Sequence, residues 1–249
     1  MDAPIEVGTP QGVLAGVSAP DESWWSAARR LAATAGAAVG GADPAAVDLS
    51  GPVKRFEIDP DLRITLRPMT PGDLPDVVRW RTAEHVRRWW AGDGEPTPEA
   101  VTALYLRRIT GAEPTRMWVW EVNGRSVGFV QDYAIADYPE YALLTPDSSA
   151  LGVDYLIGEP EWVGRGLGTR CLWAWAVHAV RREAQVPSFF AAPDHRNRPS
   201  LRVLAKVGFV EGLWFDEPQL DGSVDTVIGC TLDVPRVLGG PVDRSGGTQ

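Results

Sequence analysis

The sequence predicts an α/β fold on a mixed sheet. Segments of strand length alternate with helical patterns from residue 63 to residue 232. Asn123-Gly124, set between two apolar runs, is a strong hairpin signal. The stretch Leu151–Thr169 passes from a short apolar run through a glycine-rich turn into a long helical pattern.

Taken in order, Arg63–Arg67 alternates as a strand does, and Thr70-Pro71-Gly72-Asp73 starts a helix running to about Arg81. Pro98 to Ile109 is a second helix, with Thr97 as its cap and Pro98 at its first position. Trp118–Val122 and Ser126–Tyr133 are the two hairpin strands. Leu151–Ile157 is the fourth strand, its apolar run bounded by Gly152 and Gly158, and Gly166 to about Glu183 is the helix after the turn. Ser188–Ala192 is a strand, and Pro199–Lys206 is a helix ended by Gly208 at the C-cap. Phe209–Phe215 and Val224–Leu232 complete the order β-α-α-β-β-β-α-β-α-β-β. Residues 1–60 differ in composition: Ala, Gly and Pro dominate, one candidate helix spans Glu22 to about Val39, and linker punctuation follows. Residues 237–249 are Gly-rich and polar, a tail expected to be disordered.

At 249 residues the chain can hold one sizeable core, or one domain with an appendage. Two cysteines without a spacing pattern speak against a disulfide framework or a zinc site, and no metal is expected. No apolar run reaches the roughly 20 residues of a membrane span, and the N-terminus has no signal-peptide pattern, so a cytoplasmic enzyme without membrane partners is expected. A net charge of -9 argues against nucleic acid. The charge is unevenly spread. No base occurs between Arg125 and Arg165, where seven acids stand: Asp132, Asp137, Glu140, Asp147, Asp154, Glu159 and Glu161. A second base-free tract between Lys206 and Arg236 holds six, Asp221 among them. The intervening segment is basic. Such runs are commonly solvated surface, but this one coincides with the glycine-rich turn and fits an anionic cofactor meeting a cationic co-substrate.

The turn Val163-Gly164-Arg165-Gly166-Leu167-Gly168-Thr169 carries the chemistry most directly. Glycines at a strand-to-helix junction leave backbone N–H groups uncovered at the positive end of the helix dipole, which is where phosphate binds.

The element order and this turn, coupled to Asn197, the helix Pro199–Lys206 and Gly208-Phe209, resemble the GNAT acetyltransferase superfamily over about residues 61–236. Gly166 and Gly168 match its phosphate motif; Val163 replaces the usual polar first residue. The resemblance implies a mostly antiparallel mixed sheet splayed between the fourth and fifth strands, flanking helices and acetyl-CoA as co-substrate. It also implies that Asn197 flanks the cofactor arm. Within the superfamily the chain is most similar to aminoglycoside 6'-N-acetyltransferases, through Leu66–Thr70, His85–Gly92, Gly128–Tyr133, Gly152-Val153-Asp154 and the Asp221-Gly222 turn. That likeness makes Asp154 the catalytic base or amine anchor. The thioester carbonyl then takes a hydrogen bond from the backbone N–H of Leu156 or Ile157, exposed by a bulge. Asp137, Glu140, Asp147 and Asp221 are candidates for the remaining ammonium groups of a cationic small-molecule amine, and Trp89 or Trp90 for stacking on a sugar ring.

Two departures stand out: the family's substrate-binding Asp aligns with Ala192, and the Tyr used as general acid aligns with Leu204. Two other readings therefore stay open. One is a siderophore acyltransferase acting on N6-hydroxylysine, which shares Pro193–Arg198 but carries His in place of Asp154. The other is a non-catalytic acyl-CoA-binding module. Either a monomer or a homodimer is compatible with the sequence.

Overall fold

The computed structural model describes residues 5–6, 63–90, 93–183, 185–219 and 223–238. The expected N-terminal helix and linker, the end of the tail, Ala91-Gly92 and Asp221 lie outside the described residues.

Among the described residues eight strands form one sheet: β1 (Ile5–Glu6), β2 (Ile64–Pro68), β3 (Arg116–Val122), β4 (Arg125–Ala134), β5 (Leu151–Ile157), β6 (Ser188–Ala191), β7 (Val210–Pro218) and β8 (Val224–Asp233). Their spatial order is β1-β2-β3-β4-β5-β6-β8-β7. Every neighbouring pair is antiparallel except β5–β6, which is parallel. The helices are α1 (Leu74–Thr82), α2 (Glu84–Arg87), α3 (Pro98–Ile109), α4 (Pro139–Ala142), α5 (Leu167–Arg182), α6 (Arg198–Val207) and α7 (Val234–Leu238). The crossover between the parallel strands is α5, as the length of that connection requires.

Local signals set most boundaries. Asn123 and Gly124 both take positive φ (52° and 77°), the conformation of a tight hairpin turn. Thr97 accepts a hydrogen bond from Ala100 N and caps α3. The short α2 and α4 and the extension of β7 to Pro218 carry no local pattern, and the sequence does not predict them. Val237 and Leu238, placed in the tail by composition, are buried on α7.

Period-two alternation divides the core between the two faces of the sheet. Trp118, Trp120, Val130 and Val153 pack with α5 and α6, around the buried Trp175. Met117, Val119, Phe129 and Leu156 pack with α1 and α3, around Trp80 and Tyr105. The same parity sends Asp132 to the α5 face and Gln131, with Asp154 opposite it in register, to the α1/α3 face.

Candidate active site

The sheet opens where β5 and β6 part. They pair only at Leu151↔Phe189 and Gly152↔Phe190, so Val153 to Ile157 leave an unpaired edge. The β4–β5 register runs without a shift over the same residues. No register shift marks the expected bulge within Leu151–Ile157; just beyond it Gly158 N and Glu159 N both donate to Val127 O, at 2.8 and 3.2 Å. A cavity of about 750 Å³ occupies the wedge, a size suited to a drug-sized ligand.

Successive N–H groups of a strand point to opposite edges. Gly158 N donates to Val127 O at 2.8 Å, toward β4. Leu156 N–H therefore points to β4 as well, and its side chain is buried. Ile157 and Tyr155 direct their N–H groups to the open edge. Of Leu156 and Ile157, Ile157 is the one whose N–H faces the open edge, with Tyr155 one pleat away. His85, from α2, donates from Nε2 to the Ile157 carbonyl at 2.9 Å and lines the cavity.

The glycine-rich turn forms one wall. Val163, Gly164, Gly166, Leu167, Gly168 and Thr169 line the cavity. Gly166 is the N-cap of the 16-residue α5, left-handed at φ 77°, and no side chain caps the helix. A Cβ is disfavoured in that conformation. Leu167 and Thr169 bury their side chains, so their offer to the cavity is the backbone N–H. Arg165 does not line the cavity; its guanidinium lies over the Trp162 ring at 5.7 Å. Asn197 lines it, and its side chain caps α6 by accepting from Ser200 N at 3.2 Å. Arg202 and Lys206, one turn apart on α6, add positive charge to this wall. This wall suits a phosphate-bearing ligand.

Asp154 lines the cavity from the middle of β5. Gln131 Nε2 donates to its Oδ2 at 3.0 Å. Burial raises its pKa above the usual carboxylate value, against the hydrogen bonds of Gln131 and Tyr133, which favour the charged form. Tyr133, Tyr138 and Tyr141 surround this region.

Among the described residues, the other carboxylates at the cavity are not Asp137, Glu140 or Asp147 but Asp93, Asp194, Glu217 and Asp225. Asp137 and Glu140 are exposed. Asp147 is engaged in a turn, accepting from Ser149 N at 2.9 Å, Ser149 Oγ at 2.5 Å and Ser188 Oγ at 2.8 Å. Glu217 and Asp225 are cross-strand partners on the β7–β8 hairpin. Burial, then the Asp154 and Asp225 charges, raises Glu217 to about 7. Their facing positions follow from hairpin register, which composition and charge runs do not reveal. Asp93 carries no sequence signal.

Trp89 and Trp90 both line the cavity. Trp90 stands edge-on to Phe129 and donates from Nε1 to Asp93 at 2.7 Å. Ala192 faces the cavity and brings no carboxylate, and Leu204 is buried in the core. The cavity is lined by the hydroxyl-bearing Tyr133, Tyr138, Tyr141, Thr115, Thr169 and Ser200, and by Tyr155, whose Oη lies 2.9 Å from Ser200 Oγ. Among the described residues no group of three or more His, Cys, Asp or Glu is placed to hold a metal, and no helix is long and apolar enough to cross a membrane.

Comparisons with known proteins agree with this architecture. The family model described as an acetyltransferase (GNAT) domain matches residues 70–216. Aminoglycoside N(6')-acetyltransferase type 1 of Klebsiella pneumoniae is 28% identical over 148 residues, covering 59% of this chain and 73% of the relative. The structure of AAC(6')-Ib with parmomycin and acetyl-CoA superposes with a TM-score of 0.61 at 24% identity, over 74% of this chain and 99% of that one, a likeness of fold. An aminoglycoside acetyltransferase AAC(6')-Ib structure with coenzyme A and kanamycin gives 0.58 at 25% identity, over 68% and 94%. A sheet parted at its one parallel pair, an uncapped glycine-led helix facing the gap and a family model spanning both place this chain in the GNAT acetyltransferase family.

Proposed function

We propose that this acetyltransferase moves the acetyl group of acetyl-CoA to a primary amine of a polycationic small molecule, an aminoglycoside at its 6' amine, by direct transfer with both bound. The observation that carries the reading is the position of Asp154. It faces the cavity from the strand whose open edge supplies the Ile157 N–H, and the glycine-led helix forms the adjoining wall. The names of the curated relatives support the acceptor class.

Acetyl-CoA supplies the acetyl group as a thioester already activated toward amines. Its pyrophosphate fits the N–H groups that open α5, where Gly164 and Gly166 bring no side chain, with Arg202 and Lys206 adding charge. The Ile157 N–H meets the negative charge that develops on the carbonyl oxygen. An amine with a lysine-like pKa of about 10.4 costs roughly 4–5 kcal/mol to neutralise at pH 7. Asp154 first pairs with the ammonium and then accepts its proton, directly or through water. A pKa raised by burial makes it a better base than a solvated carboxylate. Glu217 and Asp225 hold further ammonium groups, and Trp89 and Trp90 offer ring faces.

Thiol release from acetyl-CoA, followed across acceptors, tests the reading. Release with kanamycin and none with N6-hydroxylysine is expected; the reverse overturns the acceptor class.

A further inference from the structure

Gln131 is 6% exposed and stands directly opposite Asp154 in the β4–β5 register, close enough for side chains to touch. Its two amide atoms have different partners. Nε2 donates to Asp154 Oδ2 at 3.0 Å, and Oε1 accepts from Arg108 Nη1 at 2.9 Å. A guanidinium carries donors only, and an ionised carboxylate is an acceptor only. Turning the amide over would set NH2 against guanidinium and oxygen against carboxylate, two repulsions in place of two hydrogen bonds. Arg108 is fixed in its turn: Nη2 donates to Asp93 Oδ1 at 3.1 Å. Asp93 also accepts from Trp90 Nε1 at 2.7 Å, Tyr105 Oη at 2.6 Å and Arg81 Nη1 at 3.2 Å.

We propose that Gln131 is the positioning residue for Asp154: Arg108 locks its carboxamide, whose NH2 group holds Oδ2 and, with Tyr133, orients the carboxylate toward the cavity and the acceptor amine. This rests on the reading of Asp154 as the proton acceptor. Around Asp154, Tyr133 comes from β4, Tyr141 from α4 and Glu217 from β7, while Asp93 and Arg108 act from the α1/α3 side. Of these charges Arg108 alone is a cation, and Gln131 joins it to Asp154.

Two variants of similar size separate positioning from packing. Gln131→Met removes both hydrogen bonds. Gln131→Glu keeps an acceptor for Arg108 but turns a second carboxylate toward Asp154. In the full-length protein, the Asp154 carboxyl is titrated by 13C NMR, and kcat is followed against pH with acetyl-CoA and kanamycin. Gln131→Met is expected to move the Asp154 titration upward by about one pH unit, and Gln131→Glu further. The acid limb of kcat follows in the same order, and KM for acetyl-CoA stays within about twofold of wild type. A packing role predicts the opposite order, with Gln131→Glu the milder because it retains Arg108. An unmoved Asp154 titration in both variants, with Asp154→Asn inactive, overturns the positioning proposal alone. Full activity in Asp154→Asn overturns the reading beneath it, whatever the titration shows.

Discussion

Asp132 and Asp154 sit one register position apart on β4 and β5, facing opposite sides of the sheet. Asp132 is fully buried on the α5 side. It accepts from Arg116 Nε at 2.5 Å, Trp118 Nε1 at 2.9 Å, Trp175 Nε1 at 2.8 Å and Arg182 Nη2 at 2.9 Å. Two cations and two indoles occupy the roughly four lone-pair sites of a carboxylate. Asp154 has one amide at Oδ2, a tyrosine neighbour and the cavity. The comparison separates two uses of a buried acid. One whose acceptor sites are all occupied clamps strand to helix, and one left partly open can take a proton.

Substitution by Asn tests the contrast at its strongest. Asp154→Asn is expected to lower kcat by about 10²–10⁴-fold, the range of a general base, with acetyl-CoA affinity and thermal stability near wild type. Asp132→Asn is expected to cost about 3–5 kcal/mol of stability, because it leaves Arg116 and Arg182 short of their counter-charge. Its kcat per folded molecule should be close to normal. Chemical denaturation and active-site-normalised kinetics check both, and a stability loss in Asp154→Asn matching that of Asp132→Asn breaks the distinction.

Charge and composition did not tell these two acids apart; only the family likeness carried by Gly152-Val153-Asp154 singled out Asp154. Both lie in strands within the same base-free tract. The difference is made by partners far along the chain: Trp175 and Arg182 for Asp132, and Arg108 acting through Gln131 for Asp154. Glu159, from the same tract, is claimed by Trp80, Arg79 and Arg125. The tract predicted an acidic substrate face, yet much of it holds the fold together. Gly166 was legible because its constraint, a left-handed residue before a helix, is local. The hairpin and the strand alternation were legible for the same reason, and they sufficed for the fold. Asp93, Glu217 and Asp225 reach the cavity only through tertiary placement.

Glu217 extends the comparison to an acid on the open side. Its ionised form is disfavoured in the folded protein, with a pKa of about 7 against 4.5 for an unburied Glu. Glu217→Gln should be neutral below pH 4.5. It should become stabilising as pH rises through about 7, by at most about 2 kcal/mol after solvent screening. The same change should raise KM for kanamycin, most clearly at about pH 8, where the lost charge was present. Thermal melts and KM measured from about pH 5 to 8 read the two effects. A destabilised variant at the alkaline end would instead make Glu217 a structural acid like Asp132.

Gly166→Ala probes the adjoining wall without touching either acid. The left-handed backbone at φ 77° costs an L-residue about 1 kcal/mol, and the substitution adds a methyl group at the N-cap of α5, beside the proposed seat of the pyrophosphate. KM for acetyl-CoA should rise about tenfold while KM for kanamycin and the pH profile of kcat stay unchanged. A shift in the kcat profile would mean that the cofactor wall and the Asp154 side are not separable.

The smallest effect is expected at Asp147, one of the candidates for the acceptor's remaining ammonium groups. Its three hydrogen bonds, all from Ser149 and Ser188, make it a miniature of Asp132. Burial acts to raise its pKa, but the Ser149 and Ser188 bonds outweigh it and hold the carboxyl below the ordinary 3.8. Asp147→Ala should therefore cost about 1 kcal/mol at pH 7. Because the folded pKa is depressed, that contribution is present above about pH 4 and fades as the carboxylate is protonated below it. The gap between the variant and wild-type melting temperatures should narrow accordingly on acidification. KM for kanamycin should stay within about twofold, since Asp147 is absent from the cavity wall; a tenfold rise would return it to the acceptor site and place the boundary between the two kinds of acid elsewhere.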